Sequence, residues 1–268
     1  MKKILTILFA ASAFFTGCHK NAVTGKRGLT LIPESELIGM SLTEYDKFLS
    51  EHPTLPVSDQ RVVLVKKVGA RIQHAVEQFY AQKKLTKELE GFAWEFNVVD
   101  EQQVNAWCMP GGKVVVYTGL LPVTQDESSL AIVMGHEIAH AIARHGNQRM
   151  SEGLLVQLGG AALSVAVSQK PELTQQLFMQ AYGISTGLGT LKYSRNQETE
   201  ADEMGLIFAA MGGYDPETAV AFWERMASQK GPDGAPPELL STHPSDETRI
   251  RNIKKFMPKA KKYYQPAG

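Results

Sequence analysis

Between residues 61 and 79 the apolar positions Val62, Val65, Val68, Ile72, Val76 and Phe79 recur at intervals of three and four, which places them on one face of a helix. The pattern predicts a packed amphipathic helix. In 92–99 the period changes to two, with Phe92, Trp94, Phe96 and Val98 on one parity, as a half-buried strand requires. A second run rich in Val and Tyr spans 113–118, so two strands are predicted to frame the turn at Pro110-Gly111-Gly112. Thr124-x-x-Glu127 predicts a capping box opening a helix that runs through 131–145 and stops at Gly146. The apolar, Gly- and Ala-rich run 154–167 is interrupted by Gln157 and Ser164 and falls short of the roughly 20 residues a membrane span needs, so it reads as a buried helix. Residues 198–210 predict a helix ending at Gly212-Gly213, and Asp215-Pro216 opens another through Met226. Helices dominate and one sheet signal stands out, which makes the fold class α+β, mainly helical.

Composition narrows the function classes. Hydrophobic residues at 43% against 21% charged exclude a disordered chain and provide for a core. Twenty-eight basic residues balance 28 acidic ones, which argues against a nucleic-acid partner drawn in by a basic field. Lys254, Lys255, Lys259, Lys261 and Lys262 read as a solvated end.

The first residues define a compartment. Lys2 and Lys3 precede an apolar run over 4–15, the layout of a secretory signal and too short for a membrane anchor. The run ends in Phe15-Thr16-Gly17-Cys18, which resembles a bacterial lipobox. The expectation is a signal peptide over 1–17, a lipid anchor on Cys18 with a tether over 18–35, and one domain over 36–268. His19 rather than Asp after the cysteine favours the outer membrane, on the periplasmic side of a bacterial envelope. Only Cys108 then remains, so no intramolecular disulfide is expected.

The chemistry sits in His136-Glu137-Ile138-Ala139-His140. Two imidazoles four residues apart on a helix can converge on one ion, a spacing that suits zinc. Glu137 can reach the attacking water and take its proton, which makes it the candidate general base. The flanking residues Leu130, Ile132, Val133, Met134, Ile138, Ala139, Ala141 and Ile142 would bury these polar groups, and a buried polar cluster needs a partner. A catalytic zinc commonly takes three protein ligands. His145, five residues after His140, would turn about 140° away on a continuous helix, so it is rejected as a ligand and read as a residue near the helix C-terminus. Glu198 and Asp202 lie one turn apart on one face. Glu198 can bind the ion while Asp202 accepts a hydrogen bond from the far nitrogen of a ligating histidine; Glu200 projects elsewhere.

His136 to His140, the S-R-x-x-E-x-x-A-D run from Ser194 to Asp202, Ser241-Thr242-His243-Pro244 with Arg249-Ile250, and Asn105-Ala106-Trp107 with Pro110-Gly111-Gly112 together resemble family forty-eight of the metallopeptidases, and within it the small LoiP-like periplasmic lipoprotein members. The resemblance implies a zincin-like catalytic domain whose small sheet borders the active-site cleft with an edge strand. It implies one zinc ion held by His136, His140 and Glu198, with Glu137 as base and Asp202 behind the ligands. It also implies that Asn105, Ala106 and Trp107 bind substrate on the edge strand, and that His243 and Arg249 belong to a segment closing over the cleft. His243 would either donate to the developing oxyanion or fill the open metal position.

The expected function is a zinc-dependent endopeptidase of the cell envelope acting on unfolded or misassembled proteins. Two other classes retain the metal: a chaperone-like lipoprotein assisting outer-membrane assembly with little or no proteolysis, and a zinc hydrolase of a non-peptide bond. An intact Glu137 argues against the first, since a structural site needs no adjacent base. An edge strand argues against the second, because it pairs with an extended peptide through the main chain.

Overall fold

In a computed structural model of the chain, residues 17–158, 171–182, 192–229, 236–243 and 247–266 are described. Their order is β1 (Cys18–Lys20), β2 (Arg27–Leu29), α1 (Glu34–Glu51), α2 (Gln60–Gln82), β3 (Glu95–Val99), β4 (Ala106–Met109), β5 (Lys113–Tyr117), a short α3 (Leu121–Thr124), α4 (Glu127–Ile142), α5 (His145–Leu158), α6 (Pro171–Tyr182), α7 (Arg195–Met211), α8 (Thr218–Ser228), α9 (Glu238–Thr242) and α10 (Glu247–Ala260). The architecture is mainly helical with small sheets, as the patterning implies.

α2 forms where the three-and-four spacing places it, capped by the Asp59 side chain, and all six of its pattern residues are buried. The main sheet has strand order β3-β5-β4. β5 runs parallel to β3 and antiparallel to β4, with Ala106 opposite Val116 and Met109 opposite Lys113. The Pro110-Gly111-Gly112 turn therefore joins β4 to β5, not the 92–99 strand to its successor as expected. Gly111 and Gly112 both take left-handed backbone there, at φ 85 and 81, a conformation glycine adopts without steric cost. Helices cover both sheet faces. Tyr45 and Phe48 of α1 pack with Val115 and Tyr117, while Phe96, Val98, Cys108, Val114 and Val116 join α2 and α4 in the main core. That explains why every residue of β5 is buried.

Three expected boundaries move. The N-cap of α4 is Asp126, whose carboxylate accepts from Ser129 N at 2.7 Å; Thr124 instead ends α3. α4 stops at Ile142 because Arg144 adopts φ 58, and His145 and Gly146 begin α5. α8 starts at Thr218, since the Asp215 side chain accepts from Glu217 N in a turn before the helix. Of the run 154–167, residues 154–158 complete α5, with Leu154 buried and Val156 86% exposed; 159–167 lie outside the described residues. Among the described residues no helix is long and apolar enough to cross a membrane.

Residues 21–33 are not the tether their polarity suggests. β1 and β2 pair antiparallel in a hairpin whose loop is capped by Asn21 Oδ1, which accepts from Val23 N at 2.8 Å. Ile32 is buried, and its carbonyl accepts from Asn147 Nδ2 at 2.8 Å.

Candidate metal centre

α4 is the central helix of the fold. From Ser129 to Ile142 every residue is buried, so an apolar all-round helix has found apolar neighbours on every side. Its most extensive contact is with α7. Ser194 and Gln197 start α7 with a reciprocal capping box, Ser194 Oγ accepting from Gln197 N while Gln197 Oε1 accepts from Ser194 N. The cap fixes the rotation of the first turn and so directs Glu198 and Asp202 at α4.

His136, His140, Glu198 and His243 each bring one ligand atom into a group whose members all lie within 4.8 Å of one another. His140 Nε2 is 3.0 Å from His136 Nε2 and 3.4 Å from Glu198 Oε1. His243 Nδ1 is 3.2 Å from His136 Nε2 and 2.9 Å from Glu198 Oε1. The outward nitrogens are also engaged. His136 Nδ1 lies 3.0 Å from Asp202 Oδ1. Arg249 grips that carboxylate at both oxygens, Nε to Oδ2 at 2.9 Å and Nη2 to Oδ1 at 2.7 Å, and stacks 3.5 Å over the Trp223 ring. Arg249 thus braces the rear of the site and is absent from the residues lining the cleft.

Electrostatics favour a cation here. Burial holds the His140 imidazole well below its usual range, which leaves it neutral and able to ligate. Burial alone would raise the Glu198 carboxyl, but the neighbouring His243 and Arg249 outweigh it and hold Glu198 well below the usual carboxylate range. Burial pushes the Glu137 carboxyl up to about 7. Glu137 Oε1 is buried without a hydrogen-bond partner among the described residues, and His243 Nε2 is 3.6 Å from it. Two imidazoles and a carboxylate converging across 3.0–3.5 Å require a proton or a metal ion between them, and with both imidazoles neutral the ion fills that need. The set of two imidazoles, a carboxylate and a third imidazole fits a divalent ion of zinc type.

A cleft of about 310 Å³ opens onto this group, lined by Glu137, His243, Arg149, Tyr193, Tyr182 and the edge strand. Asn105, Ala106 and Trp107 all line it, and β4 is the edge of the sheet on that side. Two residues passed over in the sequence reading complete the walls. The Tyr193 ring lies 3.8 Å from that of His140 and 4.8 Å from that of His243, and the Arg149 guanidinium sits 3.5 Å over the Tyr193 ring. Tyr193 immediately precedes the Ser194 cap, the one sequence signal that pointed to it. His145 is outside the ligand group, but it is not in the last turn of α4, which ends at Ile142. It opens α5, is 0% exposed, and places Nδ1 2.9 Å from His140 Nδ1. Glu200 lies outside the ligand group: its carboxylate faces His145 Nε2 at 3.5 Å and accepts from the Thr24 hydroxyl.

The sequence pattern of peptidase family M48 matches residues 66–257. A mitochondrial metalloendopeptidase OMA1 of Bos taurus is 32% identical over 259 residues, covering 93% of this chain and 48% of the relative. Its counterpart in Schizosaccharomyces pombe is 37% identical over 173 residues, 62% of this chain and 48% of the relative. A beta-barrel assembly-enhancing protease of Escherichia coli is 28% identical over 164 residues, 60% of this chain and 34% of the relative. The chain spans less than half the length of each of these three proteins.

Proposed function

The chain belongs to peptidase family M48, and from that premise we propose that it is a zinc endopeptidase of the bacterial cell envelope that cuts unfolded or misassembled proteins. The observation that carries the reading is the convergence of His136, His140 and Glu198 beside a buried, unpartnered Glu137 oxygen at the floor of a cleft bordered by an open strand edge.

His136, His140 and Glu198 would hold the ion, oriented from behind by Asp202 and Arg249. When bound, the ion polarises the scissile carbonyl and lowers the pKa of water. Glu137 takes the proton of the attacking water and returns it to the leaving amine. A substrate segment would lie along β4, pairing through its main chain while Trp107 and Tyr117 flank its side chains. No other strand pairs with the outer side of β4 among the described residues. His243 would fill the open ligand position in the closed cleft and leave it when substrate enters, since its Nδ1 already lies among the ligand atoms.

Cys18, exposed at the start of β1, would carry the lipid that holds the protein on the periplasmic face, in the outer membrane. The experiment that tests the function is digestion of a chemically unfolded protein by the purified chain, with and without a chelator, beside Glu198→Ala. Chelator-sensitive internal cleavage that is lost in Glu198→Ala is expected; cleavage indifferent to both overturns it.

A further inference from the structure

We propose that His145 is a positioning residue for His140, and that the N-terminal hairpin holds His145 in place through Glu200. The inference rests on the metal-centre reading and extends it to two segments outside the ligand set.

The argument is one of proton placement. For His140 Nε2 to present a lone pair toward His136 and Glu198, its proton must sit on Nδ1. Nδ1 then donates to the atom 2.9 Å away, His145 Nδ1, which must be an acceptor. That places the His145 proton on Nε2, which makes no hydrogen bond among the described residues but has Glu200 Oε2 facing it at ion-pair distance, 3.5 Å. The other oxygen of Glu200 accepts from the Thr24 hydroxyl. The opposite assignment, with His145 donating to His140, would put a proton on His140 Nε2 and close it to any ion. His145 is 0% exposed, so losing these partners would leave buried polar groups unsatisfied.

Thr24 lies in the loop joining β1 and β2, and that loop is anchored twice on the helix that supplies Glu198. Thr24 meets Glu200, and Asn21 Nδ2 donates to Met204 Sδ at 3.0 Å. The two candidate ligand histidines are therefore oriented by separate braces. His136 is set by Asp202 and Arg249, from α7 and α10. His140 is set by His145, Glu200 and Thr24, from α5, α7 and the hairpin. Arg144 makes the second brace possible: its left-handed φ of 58 ends α4 so that His145, which a continuous helix would carry away, turns back behind His140.

The test uses the full chain and reads metal binding rather than turnover. Zinc dissociation constants from chelator competition, and the visible spectrum of the cobalt-substituted protein, are measured for His145→Leu, His145→Gln, Thr24→Val and the His145→Leu/Thr24→Val double variant. His145→Leu is expected to weaken zinc binding by about 10- to 100-fold, as losing a partner behind a ligand does, and to alter the cobalt spectrum. His145→Gln should recover most of the loss, since its amide oxygen accepts from His140 and its NH2 donates to Glu200. Thr24→Val should weaken zinc binding in the same direction and add little in the double variant, because both act through one chain. Unchanged zinc affinity and cobalt spectrum in His145→Leu would overturn the positioning role, and full additivity would overturn the link to the hairpin. Should His145→Leu not fold, Thr24→Val and His145→Gln decide, the proposal failing if zinc affinity is unchanged in Thr24→Val and as weak in His145→Gln as in a protein lacking Glu198. Failure of the metal-centre reading looks different: the unmodified chain would bind no stoichiometric zinc.

Discussion

Gly135 and Gly205 face each other where α4 crosses α7, and neither position has room for a methyl group. A Cβ on Gly205 would lie 2.8 Å from His136 N, and one on Gly135 would lie 2.9 Å from Gly205 O. The two helices meet backbone to backbone, which brings Glu198 and Asp202 from one helix within reach of His136 and His140 on the other.

Glycine to alanine inside a helix ordinarily stabilises it by about 1 kcal/mol. Gly205→Ala is expected to do the reverse, because the methyl group meets backbone that cannot rotate away; forcing atoms into a packed crossing costs about 1–3 kcal/mol. It should lower both the melting temperature and the zinc content. A variant that melts higher and keeps full zinc would show that the crossing has slack.

Glu137→Gln is expected to abolish cleavage of an unfolded protein while zinc content stays at that of the unmodified chain. The amide preserves the shape of the side chain but cannot take a proton from water. Metal analysis beside a digestion assay checks both halves, and undiminished cleavage would remove Glu137 from the role of base.

In the metal-free protein, burial pushes the Glu137 carboxyl up from 4.5 to about 7. The folded state then holds a proton that the unfolded chain has released between those values, so folding stability falls as pH rises through that window. Above pH 7 the buried charge costs about 3 kcal/mol. Metal-stripped Glu137→Gln should therefore be more stable than the metal-stripped parent above pH 7, and the advantage should vanish below about pH 4.5. Denaturant unfolding at pH 4.5 and 8 measures it; equal stability at pH 8 counts against a strongly desolvated Glu137 carboxyl.

His243 Nδ1 lies 2.9 Å from Glu198 Oε1 and 3.2 Å from His136 Nε2, inside the ligand group. His243→Ala is expected to raise the rate of cleavage of unfolded protein and loosen selection among substrates, since peptide would no longer displace an imidazole. A fall in turnover of about 10²- to 10³-fold would instead identify His243 as an oxyanion donor.

Cys18→Ser is expected to release the protein from the membrane fraction, as no described helix is long and apolar enough to hold it there. Continued sedimentation with membranes would place the attachment elsewhere in the chain.

The His136 to His140 helix was legible because its information is local: ligand spacing, apolar flanks and helical period all fall within one stretch of sequence. Glu198 and Asp202 were legible for the same reason, as an i, i+4 pair. The place of His145 behind His140 was not legible because an unbroken helix would carry it away, and the break at Arg144 is made by a residue that rarely takes left-handed backbone. The hairpin was missed because three-residue strands carry no usable alternation. Its order comes from Asn21, Thr24 and Ile32 docking on α5 and α7, contacts more than 100 residues away in sequence. Tyr193 and Arg149 reach the cleft only through tertiary packing, so no periodicity could assign them. Periodicity did not mark β4, which only the family resemblance placed as an edge strand: its side chains do not alternate between core and water, and Ala106, Cys108 and Met109 are all buried.

On the proposed function, β4 would also determine what kind of information the cleft can read. A strand edge recognises amide groups, which every polypeptide has and which a folded one has already committed to its own hydrogen bonds. A native protein offers such a segment only during a local opening, so on the proposed function its lifetime would follow the free energy of that opening rather than the residues at the cut. Selection of clients would then require no recognition motif: conformational stability itself would be the specificity, and a damaged copy would be distinguished from a sound one of identical sequence.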